Sequence, residues 1–197
     1  MSQTFQANLG SQHLDLPIVE VAPDLAIALF ISTDVKLSIV KRAAEELAEL
    51  LAPSQPEMVV TAATMGIPMA MATAMALGLE DLTVLHKTAK IHLADALVEP
   101  LSSITTEGSQ VLRLDQARVP MMAGRRVAFI DDVISTGSSA AAALRLIRRA
   151  EAEVVSIGTA LLEGSAWEQA LKADTDRTFS LGSIPLFRPR PEGWVAT

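Results

Sequence analysis

The sequence predicts an α/β fold, in which a parallel β-sheet is flanked by helices. Short apolar runs rich in β-branched residues alternate with longer Ala/Leu-rich stretches, whose apolar residues recur every three or four positions. This alternation is typical of parallel sheets, because parallel strands need long crossover connections that are usually helical. The chain has 197 residues, half of them hydrophobic, so it can bury one large core. We therefore expect a single domain.

Two helices and two strands are predicted in the first half of the chain. Residues 36–52 carry apolar side chains at helical spacing, which predicts an amphipathic helix. Pro and Ser residues then break the chain, and residues 58–62 predict a buried strand. A second helix is expected from about residue 66 to 77, with Gly78 as its C-terminal stop, and residues 82–87 predict the next strand.

The second half shows the same alternation after one irregular stretch. Residues 88–108 show no sustained period, and a connection this long more often serves function than simple linkage, so we expect a mobile lid there. Strands are predicted at residues 109–114, 125–134 and 154–162, and a helix at residues 138–150.

The C-terminal part predicts three shorter elements. Residues 165–173 form a short helix capped by Ser165, and residues 179–187 form an extended segment. The Pro/Arg-rich residues 187–191 are expected to run over the surface as a strap.

Composition excludes several classes of protein and site. The 16 Lys+Arg and 23 Asp+Glu give a net charge of −7, which argues against a duplex nucleic-acid binder, because such proteins neutralise phosphates with Lys and Arg. Without cysteine there is no disulfide, thiolate zinc site or cysteine nucleophile, and we expect a cytoplasmic protein. No secretory signal is evident, and the most apolar run, residues 66–79, is too short to cross a bilayer, so we expect no membrane partner. His13, His86 and His92 have no metal-ligand spacing.

One segment combines features that bind a sugar phosphate. The apolar strand at residues 127–134 carries Asp131 and Asp132, and a small loop leads from it into the next helix; the loop residues are Ser135, Thr136, Gly137, Ser138 and Ser139. At the end of a parallel strand, the N–H groups, hydroxyls and helix N terminus of such a loop can enclose a phosphate. The two carboxylates can accept hydrogen bonds from ribose hydroxyls, so the segment predicts a ribose 5-phosphate site. An ordinary polar turn with a Ser or Thr helix cap is the alternative.

This segment resembles the signature of the type I phosphoribosyltransferase family, which is a hydrophobic strand, two acids, two apolar residues and a Thr-Gly loop. The order of the neighbouring elements is most similar to the purine branch, which includes adenine and xanthine phosphoribosyltransferases. The resemblance implies one domain over residues 1–197, with the core at about 36–164 and the lid at about 88–108. It also implies a small hood over the base, formed by about residues 1–35 and 174–197.

The same resemblance implies how phosphoribosyl pyrophosphate is held. Asp131 and Asp132 would bind the ribose diol, with Mg²⁺ reached indirectly through ribose or water, and residues 135–139 would bind the 5′-phosphate. The pyrophosphate would lie on a loop of uncharged residues, which are Ala63, Thr64, Met65 and Gly66. Lys87 and Lys90 would neutralise it as it departs.

For the purine base, the resemblance implies a hood built from residues 21–30 and 181–187, with Phe30 as a stacking ring. Glu107 would accept the purine proton, and Glu99 is the other candidate. A 6-oxopurine enzyme would carry a lysine on the strand at residues 154–162, which has none, so adenine is favoured.

The sequence therefore predicts a purine phosphoribosyltransferase, most similar to the adenine enzymes, that forms a homodimer and uses phosphoribosyl pyrophosphate, a purine base and Mg²⁺. A xanthine-specific transferase is one alternative. Another is a regulatory protein that senses phosphoribosyl pyrophosphate or nucleotides without turnover, which the uncharged loop of residues 63–65 would suit. A receiver-type signalling domain is a third, but it leaves the loop at residues 135–139 unexplained.

Overall fold

A computed structural model describes residues 3–89, 95–101 and 110–197 of the chain. The strands are β1 (Thr4–Leu9), β2 (Gln12–Ala22), β3 (Leu25–Ala28), β4 (Met58–Ala62), β5 (Leu82–Leu85), β6 (Ala96–Pro100), β7 (Val111–Asp115), β8 (Arg126–Ile134), β9 (Glu153–Glu163), β10 (Thr178–Ile184), β11 (Leu186–Arg190) and β12 (Gly193–Ala196). The helices are α1 (Leu37–Leu51), α2 (Gly66–Ala76), α3 (Val119–Met122), α4 (Ser138–Arg149) and α5 (Ala166–Ala170). The α/β class predicted from the sequence is confirmed.

The central sheet is parallel and has five strands in the order β10-β9-β8-β4-β5. The chain leaves β4 through α2 toward β5 at one edge, and it leaves β8 through α4 toward β9 on the other side. The carboxyl ends of β4 and β8 therefore lie side by side where the winding direction reverses. Open α/β sheets bind their ligands at this kind of switch point.

A second sheet joins the two ends of the chain. It is antiparallel, with the order β1-β2-β3-β11-β12, and the N–H of Gly10 donates to the carbonyl of Leu181 on the adjacent β10 at 2.9 Å. The extended conformation predicted at residues 179–187 is confirmed, but the segment is divided between two sheets, because β10 belongs to the parallel sheet and β11 to the antiparallel one. The prediction of a surface strap at residues 187–191 needs correction, because most of this segment forms β11, which pairs with both β3 and β12.

Two apolar cores cover the two faces of the central sheet. Buried side chains of α1, α2 and the antiparallel sheet pack on one face, and those of α4 and the β6–β7 hairpin pack on the other. The amphipathic helix predicted at residues 36–52 is observed as α1, whose Leu47 and Leu51 are fully buried. Both lie over Gly158 of β9, where a Cβ atom would be 2.9 Å from a Leu51 methyl group. Among the described residues, no helix is long and apolar enough to cross a membrane.

Three other predicted elements need correction. The helix predicted at residues 165–173 is only α5, and its N-cap residue Ser165 makes no side-chain capping hydrogen bond. The strand predicted at residues 82–87 ends at Leu85, and His86 forms an isolated antiparallel bridge to Arg113 instead. Part of residues 88–108, the predicted lid, forms β6, which pairs with β7, while residues 90–94 and 102–108 of that prediction lie outside the described residues.

Candidate active site

A cavity of about 320 Å³ opens at the carboxyl ends of β4 and β8. The residues that line it come from the segment before α1, the carboxyl ends of β4 and β8, the loops after β4, β5 and β8, and the start of α4. They are Phe30, Ala62, Ala63, Thr64, Met65, Lys87, Asp131, Asp132, Val133, Ile134, Ser135, Thr136, Gly137, Ser138, Ser139 and Ala140. Most of the sequence-predicted site residues are therefore neighbours in space.

The loop after β8, which we call the phosphate loop (residues 135–139), turns on a glycine. Gly137 is the N-cap residue of α4 and has φ +75°, a conformation that favours glycine. A Cβ there would also lie 2.8 Å from the Cβ of Ala170 and 3.1 Å from the Cα of Trp167, so α5 forms the floor of the loop. The loop passes over α5 without room for any side chain at this position.

The phosphate loop leads into α4 without a conventional cap. The N-cap residue is Gly137, which has no side chain to cap the helix, and the Ser138 N–H makes a long contact to the Thr136 hydroxyl at 3.4 Å. An ordinary Ser or Thr in the N-cap position is therefore not what the structure has here. N–H groups at the positive end of a helix of this length bind anions well.

Two adjacent carboxyl groups sit beside the phosphate loop. Burial, followed by the charge of Asp132, raises the pKa of Asp131 well above its usual range, while Lys87 opposes the shift. Asp132 is only 7% exposed, and burial raises its pKa as well. The Asp132 N–H donates to Asp131 Oδ1 at 3.0 Å, and the Thr159 hydroxyl donates to the Asp132 carbonyl at 3.0 Å, which fixes both residues. A ligand that brings hydroxyl donors or a cation would stabilise these carboxylates.

The loop after β4 faces the carboxyl pair. The Ala63 N–H donates to the Leu85 carbonyl at 2.8 Å, and the Ala63–Thr64 peptide bond is cis. Met65 is held from the other side, because the buried Ser32 hydroxyl donates to its carbonyl at 2.5 Å. Gly66 begins α2 and does not line the cavity, but it packs directly against Asp131.

Two further side chains complete the wall. Phe30 is 6% exposed; it belongs to the apolar core beneath the antiparallel sheet and presents its remaining surface to the cavity. Lys87 is the one cation among the described residues that line the cavity, and the Arg113 side chain holds its backbone by donating to the Lys87 carbonyl at 2.8 Å.

Of the sequence-predicted residues that the structure describes, Glu99 does not join this group. Lys90 and Glu107 lie outside the described residues. Glu99, the second candidate for a proton acceptor, is engaged elsewhere: its carboxylate pairs with Arg145 at 2.8 Å and Arg149 at 2.7 Å on α4. These hydrogen bonds lower the pKa of Glu99, and together with the two ion pairs they argue against Glu99 as the proton acceptor.

Sequence reasoning missed Ser32, Thr61 and Glu163. Ser32 joins the segment before α1 to the Met65 loop, and Thr61 has a buried hydroxyl without a hydrogen-bond partner among the described residues. Glu163 is a buried acid behind the phosphate loop. The one available signal was that β9, an otherwise apolar strand, ends in a carboxylate.

The oxygen donors that line the cavity suit a hard cation that is coordinated mainly by the bound substrate and water. Among the described residues, no cluster of three or more His, Cys, Asp or Glu side chains is arranged around a metal position. Among the described residues that line the cavity, Asp131 and Asp132 are the only ones with carboxylates. Mg²⁺ prefers oxygen ligands and often takes most of them from water and substrate phosphates, so these two carboxylates fit its requirements.

Comparisons with known proteins agree with this geometry. An adenine phosphoribosyltransferase of Mycobacteroides abscessus is 52% identical over 40 residues, which are 20% of this chain and 23% of that protein's length. A xanthine phosphoribosyltransferase of Brevibacillus brevis is 27% identical over 144 residues, covering 73% of this chain and 72% of its own. The crystal structure of adenine phosphoribosyltransferase from Rhodothermus marinus superposes with a TM-score of 0.64 at 19% identity, covering 91% of this chain and 93% of that one.

The family model described as the phosphoribosyl transferase domain matches residues 33–181, well over half of the chain. This match includes both cavity loops, the carboxyl pair and the whole central sheet except the last three residues of β10. The chain therefore belongs to the phosphoribosyltransferase family.

Proposed function

We propose that this protein is a purine phosphoribosyltransferase that acts on adenine. It would convert adenine and 5-phosphoribosyl 1-pyrophosphate to adenosine 5′-monophosphate and pyrophosphate. The observation that carries the proposal is the placement of Asp131 and Asp132 in one cavity, between the N terminus of α4 and the loop of residues 63–66. Family membership and the adenine enzymes among the structural relatives support it.

The proposal assigns the residues around the cavity to the three parts of this substrate. The phosphate loop and the start of α4 would take the 5′-phosphate through N–H donors. Asp131 and Asp132 would accept hydrogen bonds from the ribose 2′ and 3′ hydroxyls. The loop at residues 63–66 and Lys87 would take the pyrophosphate.

In the reaction, the bond between ribose C1 and the pyrophosphate oxygen breaks, and a bond forms between C1 and the purine nitrogen. Positive charge develops on the sugar and negative charge on the leaving group, so carboxylates belong near the ribose and donors near the pyrophosphate. The purine loses one proton, which we assign to Glu107, since the Glu99 carboxylate is committed to Arg145 and Arg149. Lys90 would join Lys87 at the leaving group.

Mg²⁺ is the cofactor we propose, and when bound it would neutralise part of the pyrophosphate charge. Asp131 and Asp132 would face it through ribose hydroxyls or water. The chain needs such help, because its net charge of −7 repels an anionic substrate and, in the part of the chain that the structure describes, Lys87 is the one cation that lines the cavity.

The residues of β9 favour adenine over a 6-oxopurine as the base. This strand carries no lysine that could donate to an O6 atom, whereas the adenine amino group needs only acceptors such as backbone carbonyls. The base would lie beneath the antiparallel sheet, against Phe30. The xanthine enzyme among the relatives makes xanthine the second base to test.

A sensor of phosphoribosyl pyrophosphate is the second candidate function. The observation that favours it is the uncharged sequence of the lining residues Ala63, Thr64 and Met65, which leaves the pyrophosphate side of the cavity with few charges. Such a protein would bind the substrate and release it unchanged.

Turnover assays separate these functions. The protein is incubated with phosphoribosyl pyrophosphate, Mg²⁺ and each of adenine, hypoxanthine, guanine and xanthine, and the nucleotide and pyrophosphate are quantified. We expect product with adenine. Tight substrate binding without product from any base would replace the transferase with the sensor, and product from xanthine alone would correct the base.

We also infer a homodimer that uses the outer face of α1 and α2. Leu37 and Met75 are 85% and 76% exposed there, beside a groove between the two helices. Along α1 this face is basic at Lys41 and acidic at Glu49, so a second copy related by a two-fold axis would set opposite charges against each other.

Light scattering after gel filtration tests the dimer. We expect twice the 20.9 kDa chain mass for the wild type and the single mass for Leu37→Glu combined with Met75→Glu. Val195→Glu, on β12, is the control and should remain dimeric. A wild-type monomer at micromolar concentration would refute the dimer.

We further propose a cytoplasmic location without a nucleic-acid or membrane partner, which the acidic, cysteine-free composition supports.

A further inference from the structure

The hydroxyl group of Ser32 connects two parts of the chain that meet at the cavity. Ser32 lies between β3 and α1, is 2% exposed and does not itself line the cavity. Its hydroxyl donates at 2.5 Å to the carbonyl of Met65, a residue that does line the cavity. No step of the proposed transfer involves Ser32, although it holds the loop that would bind pyrophosphate.

The segment that carries Ser32 is itself fixed. Before it, the Leu29 N–H donates to the Pro17 carbonyl of β2 at 2.9 Å. Around it, the Asp34 N–H donates to the Ile31 carbonyl at 3.0 Å and closes a turn. The buried Ser32 hydroxyl is therefore a donor on an anchored part of the backbone.

The loop of residues 63–66 is held at two places. At its start, the Ala63 N–H donates to the Leu85 carbonyl of β5 at 2.8 Å. Toward its end, the bond from Ser32 takes hold of the Met65 carbonyl. The first bond fixes the loop to the central sheet, and the second fixes it to the segment before α1.

Fixing the Met65 carbonyl also fixes the N–H group of the next residue. The peptide bond between Met65 and Gly66 is trans, so its N–H group points in the opposite direction to its carbonyl. Because the carbonyl is directed at Ser32, the Gly66 N–H points away from Ser32. Gly66 is the first residue of α2, where the helix itself offers an N–H group no acceptor.

The chemistry of the loop makes the direction of its peptide units important. The lining residues Ala63, Thr64 and Met65 carry no charge, so an anion bound there would depend on backbone N–H donors. Hydrogen bonds to such donors weaken steeply when the angle is poor. A rotated peptide unit would also bring its carbonyl oxygen toward the anion and repel it. A bond that prevents this rotation therefore favours anion binding.

We propose that Ser32 is a positioning residue for the pyrophosphate, whose hydroxyl holds the Met65 carbonyl so that the Gly66 N–H is presented to the pyrophosphate. The proposal rests on the proposed function only in placing pyrophosphate at residues 63–66. Ser32 touches no substrate and transfers no proton. Its loss should weaken the binding of pyrophosphate and spare the ligand of the phosphate loop.

Calorimetry on the full chain tests the proposal with two separate ligands, inorganic pyrophosphate in excess Mg²⁺ and ribose 5-phosphate. The variant is Ser32→Ala. The control is Ser54→Ala, which removes a hydroxyl that donates to the Leu51 carbonyl at 2.7 Å. Ser54 precedes β4, whose opposite end reaches the cavity. Both variants lose a bond from a serine to a backbone carbonyl, so both should lower the melting temperature.

We expect Ser32→Ala to raise the Kd of pyrophosphate about tenfold, which is the upper range for one hydrogen bond, and to leave the Kd of ribose 5-phosphate unchanged. Ser54→Ala should bind both ligands as the wild type does. Undiminished pyrophosphate affinity in Ser32→Ala would overturn the proposal. An equal loss for both ligands would also overturn it, because that is the result of a purely structural role. A wild type that binds no pyrophosphate would remove its premise and overturn it too.

A second variant keeps the test decisive if Ser32→Ala does not fold. Ser32→Cys fills nearly the same space but offers only a weak donor, so it should lose affinity for pyrophosphate and keep its affinity for ribose 5-phosphate. Wild-type affinity for both ligands would contradict the proposal. Because neither titration needs a purine or turnover, failure of the transferase assay leaves this result interpretable, and failure of this test leaves the transferase standing.

Discussion

Gly66 and Asp131 are in contact across the two loops of the cavity. A Cβ atom on Gly66 would lie 2.5 Å from Oδ1 of Asp131, 2.5 Å from the Thr61 hydroxyl and 3.3 Å from the Asp131 Cα. The first residue of α2 is thus packed on the carboxylate that we assign to the ribose. The pyrophosphate side and the ribose side of the site are consequently held as one unit.

Gly66→Ala should therefore damage the site. At an open helix position this change would stabilise the protein by about 1 kcal/mol, because alanine favours helix. Here the methyl group must displace Asp131 or α2, so we expect a lower melting temperature and a fall in kcat/KM of about 100-fold, the effect of a shift near 1 Å in a catalytic group. Thermal unfolding and steady-state kinetics measure the two effects.

Gly78→Ala is the matched control. Gly78 follows the C-terminal end of the same helix with φ +70°, and a Cβ there would have no neighbour within 4 Å. Backbone strain should lower the stability by about 1 kcal/mol, while kcat/KM stays at the wild-type value. Equal losses of kcat/KM in the two variants would mean that the Gly66 contact has no special role.

Asp131→Asn should separate stability from activity. The substitution removes a buried charge next to Asp132, so the free energy of unfolding at pH 7.5 should rise by about 1 kcal/mol. Binding of phosphoribosyl pyrophosphate should weaken at least 100-fold, because the ribose loses a charged acceptor. A destabilised variant with normal substrate affinity would refute both the electrostatic account and the ribose assignment.

The stabilisation by Asp131→Asn should depend on pH. The folded-state pKa of Asp131 is raised, so between the unfolded value near 4 and the folded value the native state binds more protons than the unfolded state. Within that window this group lowers stability as the pH rises. Melting curves should show that the advantage of the variant is large at pH 7.5 and shrinks toward pH 4, and an advantage that grows on acidification would contradict this.

Substitution by glutamine should affect stability at Glu99 and turnover at Glu107. Glu99→Gln breaks two ion pairs of a 13%-exposed side chain, so stability should fall by about 1 kcal/mol, while kcat is unchanged. Glu107→Gln should lower kcat by about 100-fold or more and leave stability unaltered, as expected for a general base. A reversed pattern would return the proton-acceptor role to Glu99.

Chelation of Mg²⁺ should weaken the binding of phosphoribosyl pyrophosphate but not that of ribose 5-phosphate. With EDTA in excess, the Kd of phosphoribosyl pyrophosphate should rise at least tenfold, because the described residues give the cavity a single lining cation and two carboxylates against a highly charged ligand. Ribose 5-phosphate should bind equally with and without Mg²⁺, since the N–H groups at the start of α4 need no metal. Equal sensitivity of the two ligands, measured by calorimetry, would contradict this division.

Local patterns predicted the central part of the fold well. The helical period of α1 depends only on its one buried face, and the apolar run of β4 depends only on the strand being fully buried. Both predicted ranges agree with the structure within one residue at each end. The Asp131–Asp132 pair was visible because carboxylates are rare in a buried strand. The phosphate loop was recognisable from its small residues.

Other features depend on contacts between distant residues and were missed. The division of residues 179–187 between two sheets is decided by the pairing of β11 with β3, more than 150 residues away in the sequence. Glu99 looked like a free acid because its partners, Arg145 and Arg149, are about fifty residues further along the chain. The link between Ser32 and Met65 likewise joins two segments that no local pattern relates.

The most direct test of the account is the formation of adenosine 5′-monophosphate and pyrophosphate from adenine, phosphoribosyl pyrophosphate and Mg²⁺, with Asp131→Asn assayed beside the wild type. The account predicts equimolar products with the wild type and at least 100-fold less with the variant at subsaturating substrate. If the wild type binds phosphoribosyl pyrophosphate but releases no nucleotide with any purine base, the account of this cavity as a transferase site is contradicted.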